Sequence, residues 1–254
     1  MAENMTGIIY AMWLRDMIKF WRSKSRMIGA LITPLTFMFF LGPGLISGFR
    51  SREGGIIDIS FFAPGLISMS ILFASLFSGV SIIWERELGI LKEILITPAS
   101  RLNLVLGKAV GGVTIAIIQG ILIMIIAALV GVNYGSFIGV LASIGIMFIS
   151  GIGFIGLGIA LASKIDSHEG FQVVMSLLTM PLILLSGAFF PITDLPLWLD
   201  NLVYINPLTY GVEALRWCLL GYSTIPISYS IAVMTLFAVI MLVIAGELFG
   251  KMKV

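Results

Sequence analysis

Six long apolar runs, over residues 28–49, 59–83, 105–131, 136–162, 171–190 and 228–248, leave this chain few ways to fold. An α-helix needs roughly 20 apolar residues to cross a hydrocarbon core about 30 Å thick, and each run reaches that length. Lipid offers no water to the backbone, so every N–H and C=O must be satisfied inside the segment, which a helix does. Only 11% of the 254 residues are charged, against about 25% in an ordinary soluble domain. The sequence predicts an all-α integral membrane protein with six transmembrane helices and almost nothing left for a soluble domain. Pro34, Gly42 and Pro43 interrupt the first run, Pro64 the second and Pro181 the fifth. Such breaks are tolerated in lipid and produce kinks, read either as ordinary packing or as hinges. Cys218 is the single cysteine, which rules out an intramolecular disulfide. No cleavable signal pattern is expected at the start, because charges run through residues 1–25.

Orientation follows from the basic residues. Arg15, Lys19, Arg22, Lys24 and Arg26 precede the first run; Arg86, Lys92, Arg101 and Lys108 lie between or beside the second and third; Lys164 follows the fourth; Lys251 and Lys253 end the chain. Twelve of the 15 basic residues thus share one side, and only Arg50, Arg52 and Arg216 fall on the other. The excess marks the cytoplasmic side, so a multi-pass protein of the cell membrane with both termini in the cytoplasm is expected.

Residues 1–26 read as an amphipathic helix. Tyr10, Trp13, Leu14, Met17 and Trp21 recur at spacings of three and four and form one stripe; Arg15, Lys19, Arg22 and Arg26 form another on the opposite side. Aromatic and basic faces of this kind suit a helix lying in the cytoplasmic interface of the bilayer, or one docked on a partner. The remaining residues, 27–254, make the membrane domain.

Near the far end, residues 187–226 are aromatic and apolar yet carry Asp194, Asp200, Glu213 and Arg216. Asn206 followed by Pro207 has the form of a helix start, a capping side chain before a proline in the first turn. A helix from Pro207 to Leu220 would be about 21 Å long, too short to cross. Short helices dipping into the outer leaflet and returning are expected, with Glu213 and Arg216 three apart and able to pair.

The catalytic and cofactor motifs that such a chain could carry are missing. Gly107-Lys108-Ala109 is the nearest approach to a phosphate-binding loop, and it lacks both the hydroxyl residue and the earlier glycine. His168 is the lone histidine, and neither a metal-binding nor a nucleophile-elbow motif is present. No cofactor, metal or catalytic residue is expected, and no nucleic acid as partner. Acidic residues avoid the centres of the runs, with Asp58, Glu85 and Glu247 near their ends. This argues against ion-coupled carriage, which uses ionisable groups at mid-membrane. A membrane path without its own energy source must receive force from elsewhere.

The stretch Trp84–Lys108 could supply that link. It is a charged island between two apolar runs, carrying Glu85, Arg86, Glu87, Lys92, Glu93, Arg101 and Lys108. A helix over Gly89–Thr97, stopped by Pro98, would put Leu91 and Leu95, with Ile94, on one apolar ridge. The island as a whole, Glu85-Arg86-Glu87-x-Gly89-x-Leu91-Lys92, then Thr97-Pro98-Ala99-Ser100-Arg101, then Val105-Leu106-Gly107-Lys108, resembles the coupling region of ABC-2 type transporter permeases of the drug- and glycolipid-exporting branch. A late block is similar to the same family's segment before its last span: Leu185-Ser186-Gly187-x-Phe189-Phe190-Pro191, then Asn206-Pro207-Leu208-Thr209-Tyr210 and Glu213-x-x-Arg216. The order of six runs and the leading amphipathic helix match too, so the resemblance covers essentially the whole chain.

That resemblance implies a permease subunit without ATPase activity of its own. It would pair with a second copy or a paralogue above two copies of a separate ATPase that grips the helix at about 85–101. Pro191, Asn206, Pro207, Tyr210, Glu213 and Arg216 would belong to an outer gate. Trp13, Arg15, Lys19, Trp21 and Arg22 would hold the interfacial helix at the lipid surface. The substrate would be lipophilic or lipid-linked: a drug, a lipid or a glycolipid. A non-transporting membrane scaffold and a passive channel are the rival readings.

Overall fold

The computed structural model describes residues 2–44, 58–89, 101–165, 167–193 and 195–252. Helix α1 spans Ala2–Arg22. After a break at Ser23, α2 runs over Lys24–Thr36 and passes into a π-helical turn at Phe37–Leu41. Long helices follow at α3, Ile59–Glu87, α4, Arg101–Leu129, and α5, Phe137–Ala162. Three shorter ones come next: α6, His168–Leu184, α7, Leu197–Ile205, and α8, Pro207–Leu220. The last, α9, is Ile227–Gly250.

Local chemistry sets many of these ends. Asp58, Ser136, Ser167 and Asn206 sit in extended backbone at N-caps, each accepting from an N–H of the following turn, the group a helix start leaves unpaired. Gly221 ends α8 in the left-handed region at φ 80°, where a side chain would cost strain.

Among the described residues, five helices are long and apolar enough to cross a membrane: Met27–Gly44, Ile59–Glu87, Asn103–Leu129, Phe137–Ala162 and Ile227–Gly250. The run expected over 171–190 folds differently. Its helix begins at His168 and stops at Leu184, 17 residues or about 26 Å. Past Pro181 the chain turns through Gly187 at φ 69°, and the apolar residues Ala188 and Phe189 are buried in an irregular segment.

Helix α3 is the centre of the assembly, with 78% of its membrane window buried against 17% for α9. Glycines let its neighbours come close. A Cβ on Gly79 of α3 would strike the backbone of Gly158 on α5, one on Gly156 the backbone of Met241 on α9, and one on Gly139 the Cys218 carbonyl of α8. Small residues at crossings are how helices pack where lipid removes the hydrophobic drive between them. Two apolar clusters fill the interior. One joins the first half of α3 to α8 around Phe62, Leu66 and Leu215. The other joins the end of α3 to α1, α4 and α9 around Ile83, Met12, Val105 and Phe249.

Candidate functional site

The last turn of α3 is fastened to the rest of the molecule by three consecutive residues. Trp84 donates its indole N–H to Nδ1 of His168 at the start of α6, 3.0 Å away. Arg86 donates to the carbonyl of Ile165 at 2.6 Å, in the connection from α5 to α6. Glu85 turns inward, 3% exposed. Its Oε1 accepts from Arg15 Nη2 at 2.8 Å, Lys19 Nζ at 3.0 Å and Lys108 Nζ at 2.9 Å. Lys108 is equally buried, also donates to Ser81 Oγ at 2.9 Å, and lies 3.9 Å from Asp16.

One carboxylate therefore ties together α1, α3 and α4. Glycines make the approach possible: a Cβ on Gly107 would lie 2.8 Å from Met12 Cβ, and one on Gly111 would lie 3.0 Å from an Asp16 oxygen. The indole N–H of Trp13 reaches Thr114 Oγ1 on α4 at 3.1 Å. The cluster stands at the two ends from which the 90–100 connection leaves and returns.

This arrangement corrects the expected faces of α1. Arg15 and Lys19 point to Glu85 rather than to lipid. The apolar stripe is split, with Met17 buried and Trp13 half-buried while Tyr10, Leu14 and Trp21 are exposed. Arg22 is exposed. Local spacing could not show a carboxylate 70 residues away. One signal was present: Lys108 falls inside the third apolar run, and an ionisable group there is a functional candidate by default.

Of the other residues expected in the coupling segment, Glu87 is exposed at the end of α3, and Gly89 takes the left-handed backbone at φ 74°. Arg101 opens α4. Leu91, Lys92, Leu95, Thr97 and Pro98 lie outside the described residues, and with them the expected helix over 89–97.

At the other end, Glu213 and Arg216 pair on α8, 0% and 2% exposed. Arg216 also donates to the carbonyl of Gly187 at 2.8 Å, and its guanidinium carbon sits 4.3 Å from the centre of the Phe61 ring. The second oxygen of Glu213 accepts the backbone N–H groups of Thr224 and Ile225, at 2.5 and 3.2 Å. The pair thus joins α8 to the turn after α6, to α3 and to the entry of α9. Asn206 caps α8 through its oxygen and donates its amide to Leu182 O at 2.7 Å. Tyr210 donates to Tyr204 O at 2.6 Å. Pro191 lies in the irregular segment before α7. In the α4–α5 turn, burial pushes the Tyr134 phenol up to about 12, which keeps it a donor to Met124 O, 2.7 Å away.

A multi-pass helical membrane protein, with a charge cluster at one end of its central helix and a buried ion pair at the other, is what the sequence builds. The chain belongs to the ABC-2 type transporter family, whose signature matches residues 8–220. It is 26% identical over 234 residues to nodulation protein J of Rhizobium leguminosarum bv. trifolii, covering 91% of this chain and 88% of the relative. It is 27% identical over 216 residues to the transport permease ycf38 of Cyanophora paradoxa, covering 82% and 73%. With the multidrug ABC transporter permease YbhR of Escherichia coli K12 it shares 30% identity over 155 residues, 60% of this chain and 42% of the relative. The family is one of transporter permease subunits that lack ATPase activity and associate with an ABC ATP-binding subunit.

Proposed function

We propose that this chain is the transmembrane subunit of an ATP-driven exporter, moving a lipophilic or lipid-linked substrate out of the cytoplasm with ATP hydrolysed by two copies of a separate subunit. A second permease copy or a close paralogue completes the membrane part. In this reading α6 acts as the fifth of six spans, both termini are cytoplasmic, and α7 and α8 form a re-entrant outer gate held by Glu213 and Arg216. A relative named for multidrug transport supports a lipophilic cargo.

The observation that carries the proposal is the Glu85 cluster. A docking segment at about 85–101 can work a membrane domain only if its ends are joined stiffly to the spans. Glu85 at the start of that segment and Lys108 just past its end bond to each other and bring α1 into the same body. Buried charge-assisted hydrogen bonds are among the stronger side-chain contacts.

The test is Leu91→Asp. Buried apolar anchors dominate most interfaces, and a carboxylate forced into an apolar groove has no partner. The variant should reach the membrane at wild-type level and lose co-purification of the ATPase at matched expression. Undiminished recovery of an active, substrate-stimulated ATPase would show that this segment is not the docking element.

A further inference from the structure

Helix α6 is loosely held. Of its 17 residues only Phe171, Thr179 and Ile183 are buried, whereas 78% of the membrane window of α3 is buried. Polar attachments at its start therefore count. Its first residue, His168, accepts the indole N–H of Trp84 at Nδ1, 3.0 Å away. Both side chains border a cleft of about 430 Å³, with Asp16 and Lys19 of α1 and Gln172 of α6. The bond stands where the end of α3, the start of α6 and the charged side of α1 meet.

We propose that His168 is a proton-controlled tie between α3 and α6: with Nδ1 bare it holds the two helix ends together through Trp84, and with Nδ1 protonated it releases them. The chemistry of the two rings carries the assignment. An indole nitrogen only donates, a neutral imidazole keeps one accepting nitrogen, and a protonated imidazole keeps none. A proton on Nδ1 sets two N–H groups against each other. The imidazole meets the indole at its N–H edge, not over its face, so the charged ring gains no cation–π contact in exchange. Histidine is the side chain whose ordinary charge change falls between about pH 5 and 8. The neighbouring bond from Arg86 to the Ile165 carbonyl has no such dependence, because a guanidinium stays charged. Among the described residues, the charged groups around His168 are Glu169 beside it, Lys164 in the connection, Arg86 and Glu87 on α3, and Asp16 and Lys19 across the cleft. Both signs are present, and none supplies the lone pair that the indole needs. Helix α3 leads into the proposed docking segment, so the tie sets how firmly α6 follows it; for that consequence alone the inference rests on the permease reading.

The experiment uses the full chain in phosphatidylcholine nanodiscs, without ATPase or nucleotide. Spin labels are attached at Leu88→Cys and Val173→Cys, 72% and 60% exposed at the end of α3 and on α6, in a Cys218→Ala background. Pulsed electron resonance reads the distance between them at the two ends of the histidine range, about pH 8 and about pH 5. With the native His168, the ratio of long to short distances should rise about two- to tenfold at the lower pH, the worth of one neutral hydrogen bond.

Two variants separate this tie from a general effect of acid. His168→Asn puts an amide oxygen where Nδ1 stands, which accepts a hydrogen bond but takes up no proton in this range, so the short distance should persist at both pH values. Trp84→Phe keeps an aromatic ring without the N–H, at a site 46% exposed, and should show the longer distances at both. Three results overturn the proposal: a distribution with native His168 that does not change with pH, an equal change in His168→Asn, or the full pH response retained in Trp84→Phe. Because the permease alone is measured, such a failure leaves the Leu91→Asp result standing. A failure of ATPase docking, in turn, leaves a demonstrated proton response.

Discussion

The Glu85 cluster makes an asymmetric prediction. Glu85→Ala removes the one carboxylate among the described residues within 3 Å of Lys108 and leaves that ammonium buried, with Ser81 Oγ at 2.9 Å and Asp16 only at 3.9 Å. Breaking a buried pair so that one charge is orphaned costs about 3–5 kcal/mol. The bonds to Arg15 and Lys19 add less, because those side chains are 27% and 47% exposed and such pairs are worth about 0–1 kcal/mol each. Lys108→Met is the milder change. It keeps the apolar stem of the side chain and leaves Glu85 bonded to Arg15 and Lys19, so about 1–3 kcal/mol is expected. The double variant has no orphaned ammonium and should be more stable than Glu85→Ala alone. The assay is unfolding of the purified chain by titration of dodecyl sulfate into mixed micelles, followed by circular dichroism, with trypsin cleavage within α1 as a second readout. Equal losses from the two single variants, with a double variant equal to their sum, would refute the reasoning and show that Lys108 does not depend on Glu85.

Glu213→Ala and Arg216→Ala should each reduce folded yield more than the double variant does, since either alone leaves a buried charge; additive losses in a detergent-stability assay would mean the two residues act separately. Gly139→Ala should cost about 1–3 kcal/mol by overpacking, because its methyl group meets the Cys218 carbonyl; wild-type thermal stability would show that α5 and α8 can part freely. In a Cys218→Ala background, cysteine at Asn133 should react with an impermeant thiol reagent in intact cells and cysteine at Ser100 only after permeabilisation. External reaction at Ser100 would invert the orientation.

What the sequence made legible was what neighbouring residues decide. The run of Asn206, Pro207 and the apolar residues after it marks a helix from Pro207 to Leu220, and the helix has those ends, because cap and first-turn proline act within one turn. The pairing of Glu213 with Arg216 follows from helical spacing alone. The long helices were visible because lipid forces length and apolarity together. Two of their ends ran further than apolarity suggested: α3 continues to Glu87 and α4 starts at Arg101. The partners of Glu85 were not legible. Arg15 and Lys19 read as lipid-facing until the fold brings a carboxylate to them.

The single carboxylate shared by Arg15, Lys19 and Lys108 also sets an order of assembly. Helix α1 is made before α3, and Glu85 lies 70 residues after Arg15. At about 5–20 residues per second, a ribosome needs roughly 4–14 s to supply it. Through that interval Arg15 and Lys19 are without the carboxylate that holds them in the finished fold. When α3 and α4 are in place, Glu85 accepts from Arg15, Lys19 and Lys108 together and joins the three helices into one body.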